Sequence, residues 1–183
     1  DVVVIGRDGR LSGPELIEAL TEGLLSTGVN VIDLGMVATP MVYFAANHVL
    51  DGKSPKSGIM ITGSHNPPNY NGFKMVLGTA AIYGEQIQGL YKRIQAQQFT
   101  TGKGERSTFD VFPMYLERIV SDVKLARPMK IAIDCGNGVG GAFAATLFRA
   151  LGCEVEELFC EVDGHFPNHH PDPAHIENLE DLI

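Results

Sequence analysis

The sequence predicts an α/β fold: a mixed, mostly parallel sheet layered with helices, forming one nearly complete domain followed by part of a second, similar one. Three observations point to it. Short β-branched runs alternate with amphipathic stretches, and the runs are apolar throughout, as strands covered on both faces are. Glycine-rich loops follow several of the runs, where α/β folds place their ligand sites. The rhythm also restarts late in the chain, with a change of charge. Residues 1–109 carry nine Lys+Arg and nine Asp+Glu, while residues 110–183 carry five against thirteen. The net charge of −8 therefore belongs to the second stretch, and two units are expected, 1–109 and 110–183.

The elements follow in order. Val2-Val3-Val4-Ile5 is a buried strand ending at Gly6. Ser12, Pro14 and Glu15 have capping-box spacing, and Leu16, Ile17, Leu20 and Leu24 make the apolar stripe of the helix they open, which stops near Gly28. Val29–Leu34 is the second strand; Gly35–Thr39 connects it to a helix running from Pro40 to His48. After a polar loop, Ser57–Ile61 is the third strand, and Gly72–Leu77 a short fourth. Glu85–Gln97 is a helix with Ile87, Leu90, Tyr91 and Ile94 on one face. Phe99–Ser107, poor in apolar residues, is the expected linker, and Val111–Val123 the helix after it. The second unit repeats the pattern: strand Lys130–Asp134, helix Val139–Leu151, strand Cys153–Phe159, a loop rich in His, Pro and Asp, and the start of a helix at Ile176.

Composition removes several classes of function. A hydrophobic content of 44% suits a packed core. The acidic balance argues against nucleic acid or an anionic membrane as partner. No apolar run approaches the ~20 residues of a membrane span. The chain opens on Asp1 and a strand-like run, with no basic and apolar leader. Cys135, Cys153 and Cys160 lack metal-type spacing and read as reduced thiols, so a cytoplasmic setting is expected.

The chemistry concentrates in Thr62-Gly63-Ser64-His65-Asn66-Pro67-Pro68. A hydroxyl and an imidazole stand together in a loop that directly follows a buried strand. Ser64 there is a candidate nucleophile or phosphoacceptor, against the plainer reading of a turn serine. His65 is a candidate base or donor. Asn71-Gly72 reads as a hairpin turn that brings Lys74 back towards Ser64, where its ammonium pairs with a phosphate or is simply solvated. In Gly6-Arg7-Asp8-Gly9-Arg10 the two arginines suit bidentate anion binding; the plainer reading is a local Arg–Asp pair. Gly136-Asn137-Gly138-Val139-Gly140-Gly141 matches G-x-G-x-x-G, with Glu154, Glu156 and Glu157 about 20 residues on, so a dinucleotide-binding domain of an oxidoreductase is the alternative. His165, His169, His170, Asp172 and His175 suggest a metal site or a locally hydrogen-bonded loop; the prolines between them favour the loop.

Taken together, Thr-Gly-Ser-His-Asn-Pro-Pro followed by Tyr-Asn-Gly-Phe-Lys resembles the phosphoserine loop of the α-D-phosphohexomutases, bacterial phosphomannomutase/phosphoglucomutase type. Gly-Arg-Asp-Gly-Arg, Asp-Cys-Gly-Asn-Gly and Val-Asp-Gly-His-Phe-Pro-Asn-His-His-Pro-Asp-Pro resemble further segments of that family in the same order. The resemblance implies the first domain of a four-domain mutase, lacking its start, and part of the second. It implies interconversion of hexose 1-phosphate and hexose 6-phosphate, of mannose or glucose, through a hexose 1,6-bisphosphate. Ser64 then carries the phosphoryl group, His65 orients near it, Lys74 serves proton transfer or holds phosphate, and Mg²⁺ meets the protein through the phosphate on Ser64. The family's Asp-x-Asp-x-Asp metal run and its sugar-reading loops have no match in these residues, so the 183 residues alone are expected to be a non-catalytic α/β module, and the Gly136–Gly141 loop a structural one.

Overall fold

A computed structural model of the chain describes residues 1–78 and 80–183. The first sheet contains β1 (Val2–Arg7), β2 (Asn30–Met36), β3 (Gly58–Ile61), β4 (Phe73–Leu77), β5 (Ala80–Ala81) and β6 (Arg106–Thr108), in the spatial order β5-β4-β3-β1-β2-β6. β1 pairs in parallel with both β2 and β3, and β2 with β6; the β3–β4 and β4–β5 pairings are antiparallel, so β4 alone runs against the other strands. The second sheet is the parallel pair β7 (Lys130–Asp134) and β8 (Glu154–Leu158). The architecture is thus the mixed, mostly parallel α/β layering that the sequence predicts.

Successive residues of a strand point to opposite faces, and β1 shows what each face meets. Val4, with Ile32, Leu34 and Met60, packs beneath α2 (Thr39–Ala46), burying Met41, Val42 and Ala45. Ile5, with Val31, Ile59 and Ile61, packs against α1 (Gly13–Ser26) through Ile17. Between α1 and β2, Thr21 turns its hydroxyl back to the Ile17 carbonyl at 2.7 Å, which satisfies an otherwise buried donor. The C-terminal ends of the parallel strands carry the loops on which the site is built.

The two units share apolar contacts. α4 (Phe112–Asp122) lays Tyr115 edge-on against Phe44 of α2, ring centroids 5.3 Å apart. Phe112 meets Phe143, just ahead of α5 (Ala144–Ala150), at 5.0 Å.

Several expectations are corrected. Ser12 makes no capping bond; its hydroxyl accepts the Asn71 side-chain amide at 2.9 Å, tying the start of α1 to the Ser64 loop. The expected helix Val139–Leu151 is a 3₁₀ turn, Val139–Ala142, then α5, because Gly140 and Gly141 favour no helix and Phe143 turns aside to meet Phe112. Beyond His175 there is only a 3₁₀ turn, Ile176–Leu179. α3 (Glu85–Gln95) has the predicted stripe, but Ile87, Tyr91 and Ile94 are exposed.

The expected linker Phe99–Ser107 is instead docked. Arg106 opens β6 and forks onto Glu18 at 2.8 Å and Asp33 at 2.6 Å, joining the edge strand to α1 and β2. Gly104 donates to the Leu25 carbonyl, and a Cβ on it would collide with the Val29 carbonyl. Gly104→Ala should therefore cost about 1–3 kcal/mol in denaturant unfolding; an unchanged midpoint would show that the segment is loose.

Candidate active site

The site is built at the ends of β1 and β3. β1 delivers Asp8 and Arg10, and β3 delivers Thr62 and the loop over 62–72. Antiparallel pairing sets Lys74 opposite Met60, so β4 returns Lys74 to the same edge. The return is made by the whole 62–72 loop and not by a two-residue turn at Asn71-Gly72, whose amide is instead held by the Asn71 side chain at 2.9 Å.

Arg10 is 1% exposed, and each of its side-chain N–H groups has a partner. Nε donates to Asp8 Oδ2 at 3.2 Å. One terminal nitrogen donates to the carbonyls of Pro67 and Tyr70, the other to those of Ser64 at 3.0 Å and Asn66 at 2.7 Å. Gly63 is required here, because a Cβ would run into the guanidinium. Asp8 is equally engaged: Oδ1 accepts the Arg10 amide at 3.0 Å and Oδ2 the Thr62 hydroxyl at 2.7 Å. Thr62 Oγ1 in turn accepts the Ser64 amide at 2.9 Å. The result is a continuous chain from a buried carboxylate to the backbone of Ser64.

Ser64 sits at φ +54°, in the left-handed region that non-glycine residues rarely adopt. Such strain persists only where surrounding bonds over-determine it, and the Arg10–Asp8–Thr62 set supplies them. The Ser64 side chain is exposed, with Oγ 3.4 Å from His65 Nδ1, a long and weak contact. Ser64, His65 and Lys74 line one open cleft of about 400 Å³ with Asp8 and Thr62 on one side. Asp134, Gly136, Phe166, His169 and Asp172 of the second unit line the other.

The two predicted anion-binding arginines are elsewhere. Arg10 has no donor left for a ligand, so the local Arg–Asp reading describes it and the phosphate-binding one does not. Arg7 lies outside the lining of this cleft; its Nη1 donates to the Asp8 carbonyl at 3.0 Å and its stem lies against Gly13. Sequence reasoning missed Asp8 and Thr62 as supports. The available signal was an acid at the mouth of an apolar strand, which folding buries only if paired.

The histidine loop makes hydrogen bonds rather than a metal centre. His169 Nε2 lies 3.1 Å from both Asp134 oxygens, and Asn168 donates to Asn137 at 2.7 Å. Among the described residues no three His, Cys, Asp or Glu side chains gather as metal ligands. Cys135 also faces the cleft, but burial and the neighbouring Cys160 thiol push its thiol up to about 12, so it stays protonated and is no rival nucleophile at neutral pH.

Residues 1–101 match the family described as phosphoglucomutase/phosphomannomutase, alpha/beta/alpha domain I, and residues 113–183 match domain II of the same family. The chain belongs to the phosphoglucomutase/phosphomannomutase family. It is 55% identical over 181 residues to a phosphomannomutase/phosphoglucomutase of Pseudomonas aeruginosa, covering 99% of this chain and 38% of that protein. It is 56% identical over 183 residues to a phosphoglucomutase of Neisseria gonorrhoeae, covering 99% and 39%. The crystal structure of a phosphoglucomutase/phosphomannomutase family protein from Burkholderia thailandensis superimposes with a TM-score of 0.97 at 61% identity, over 100% of this chain and 41% of that one. The chain spans about two fifths of the length of these relatives.

Family membership removes the dinucleotide-binding alternative, and the local geometry agrees. The Gly136–Gly141 loop leads into a 3₁₀ turn and not the N-terminus of a long helix, which a pyrophosphate needs. Gly141 backs onto the Cys160 carbonyl. The acids expected to hold a ribose are spent on cations: Glu154 and Glu156 on Lys130, and Glu157 on Arg149.

Arg10→Ala should destabilise the chain by about 3–5 kcal/mol, since it leaves the Asp8 carboxylate buried without its cation. Arg10→Lys should recover little, because an ammonium has too few donors for the loop carbonyls. Chemical denaturation measures both; a loss for Arg10→Ala no larger than that of an exposed ion pair, about 1 kcal/mol or less, would contradict the clamp.

Proposed function

We propose that this chain forms the phosphoserine-bearing part of a hexose-phosphate mutase. The observation that carries the reading is the exposed Ser64 hydroxyl, fixed on an internally clamped backbone at the end of a buried strand, with a lysine in the same cleft. Fixed geometry is what phosphoryl transfer asks of a protein, because positioning and charge stabilisation dominate its catalysis.

In the proposed cycle, phospho-Ser64 faces the free hydroxyl of a hexose 1- or 6-phosphate. The Oγ–P bond breaks as the sugar O–P bond forms, giving a hexose 1,6-bisphosphate; the sugar hydroxyl proton leaves to a base in the cleft and Ser64 Oγ takes up a proton. The other sugar O–P bond of the bisphosphate then breaks as a new Ser64 Oγ–P bond forms, the Oγ proton leaving through the cleft and the freed sugar oxygen taking one up. Lys74, as a point charge beside the loop, holds phosphoryl oxygens or serves proton transfer; His65 orients the transferring group. Glucose and mannose phosphates both remain substrates under this reading. The relatives' names, phosphomannomutase/phosphoglucomutase and phosphoglucomutase, support it.

The residues here do not make a site for the Mg²⁺ that the resemblance implies. Hard cations need several oxygen ligands, and the acid next to Ser64, Asp8, has both oxygens engaged within the protein. Only a phosphate on Ser64 would offer it oxygens from this loop, and no step above depends on it. A cytoplasmic setting is part of the proposal, supported by the three free thiols; no helix of the described residues is long and apolar enough to cross a membrane.

In a protein of the relatives' full length carrying this sequence, Ser64→Ala should reduce conversion of glucose 1-phosphate at least about 10³-fold. Lys74→Ala should reduce it by about 10²-fold or more. The wild-type protein should take up label from ³²P-labelled hexose 1,6-bisphosphate and the Ser64→Ala variant should not. Near-normal turnover by Ser64→Ala sinks the proposal. The 183 residues assayed alone with Mg²⁺ should show little or no turnover.

A further inference from the structure

His169 lies between two acceptors. Nε2 faces the Asp134 carboxylate at 3.1 Å, and Nδ1 faces the His170 carbonyl at 3.0 Å. A carbonyl and a carboxylate can only accept, so both ring nitrogens must donate, and only the imidazolium does that. The pair is enclosed, with the His169 side chain 16% exposed and that of Asp134 3%. The Phe159 ring meets the imidazole edge-on, centroids 5.5 Å apart.

The loop held in this way reaches across the cleft. Three residues before His169, Phe166 lies with its ring against the Arg10 guanidinium, whose carbon is 5.1 Å from the ring centroid. Phe166 has φ +53°, a conformation a bulky side chain adopts only when its surroundings enforce it. The guanidinium beneath it is the one that holds the carbonyls of Ser64, Asn66, Pro67 and Tyr70. A single path therefore runs from the charge on His169, through the loop to Phe166 and Arg10, to the backbone of Ser64.

We propose that His169, held as an imidazolium between Asp134 and the His170 carbonyl, is a positioning residue that braces the Ser64 loop through Phe166 and Arg10, and that loss of its proton loosens the brace. The role rests on reading the Ser64 loop as the phosphoryl-transfer centre. The charged and titratable groups around the ring are Asp134 at the end of β7 and Asp181 in the C-terminal turn, with Asp172, Cys135, Asp8, His65 and Lys74 elsewhere in the cleft lining. Burial opposes the charge, but the His170 carbonyl, Asp134 and Asp181 outweigh it and hold the imidazole above its ordinary value. The brace is complete below the free imidazole value of about 6.5 and is lost as pH rises through the higher folded value.

The test is an NMR titration of the 183-residue chain, following the His169 ring and the Arg10 Nε–H together. The expected result is one shared midpoint above that of free imidazole. Asp134→Asn should lower both midpoints by about one pH unit, and Phe166→Leu should leave the His169 titration in place while removing the Arg10 response. An Arg10 signal that stays flat while His169 titrates overturns the brace, as does a His169 midpoint at or below the free value. In a protein of the relatives' full length, mutase turnover should fall above the His169 midpoint, and Asp134→Asn should move that fall down with it; an unmoved profile overturns the positioning role. Absence of turnover from the wild-type protein at every pH would instead overturn the mutase reading, and the titration would still decide the brace.

Discussion

The candidate site depends on one buried cation. A guanidinium taken out of water is costly unless every donor finds a partner, and Arg10 meets that condition with one carboxylate and four carbonyls drawn from a single loop. The converse matters as much. Carbonyls of a folded loop also need partners, and those of Ser64, Asn66, Pro67 and Tyr70 share one. Closed by the backbone bond between Thr62 and Gly72, the loop can therefore leave the sheet, turn and return with only two backbone turn bonds of its own, Asn66 N–H to the Gly63 carbonyl and Tyr70 N–H to the Pro67 carbonyl. Its shape is set from beneath, which leaves the upper surface free for chemistry.

The second unit extends this arrangement rather than merely following it. Its contacts with the first are of two kinds. Apolar ones, Phe112 with Phe143 and Tyr115 with Phe44, fix α4 and the start of α5 against the first core. A cation–π contact, Phe166 on the Arg10 guanidinium, places the loop after β8 over Arg10 and across from Ser64. Asn137 anchors that loop: its side-chain amide donates to the Glu161 carbonyl at 2.9 Å, its carbonyl accepts the Asp163 amide at 2.9 Å, and its Oδ1 accepts Asn168. The glycine-rich turn after β7 thus supports a neighbouring loop, and its glycines allow close backbone approach without a nucleotide.

The sequence shows the fold class and the central strands of the first unit because buried parallel strands are written as uninterrupted apolar runs, and Val2–Ile5 and Ile59–Ile61 are of that kind. It shows poorly whatever depends on tertiary partners. Phe99–Ser107 reads as a linker by composition, yet Arg106 forks onto Glu18 and Asp33, which lie far away in the chain. Ser12 has the spacing of a cap, yet Asn71 takes its hydroxyl. The same limit applies to the site. Ser64, His65 and Lys74 are visible because the motif and the antiparallel return place them together. The true task of Arg10 is not visible, because an arginine beside a glycine loop looks the same whether its fork faces a ligand or the loop itself. Only its burial separates the two.

The two prolines of the loop have a physical reason that follows from the same clamp. All peptide bonds of the described residues are trans, so each carbonyl points away from the N–H that follows it. Turning the carbonyls of Asn66 and Pro67 inward to Arg10 would expose the next two amides on the outer side. Those residues are Pro67 and Pro68, which have no N–H to leave unpaired. The Ser64 carbonyl also turns inward, and there the following residue is His65, whose N–H consequently faces away from the guanidinium. The Tyr70 carbonyl turns inward as well and leaves the Asn71 N–H in place, so outward donors are removed only at the two proline positions. The Asn-Pro-Pro stretch is thereby stiff and leaves no unpaired amide of its own opposite the clamp.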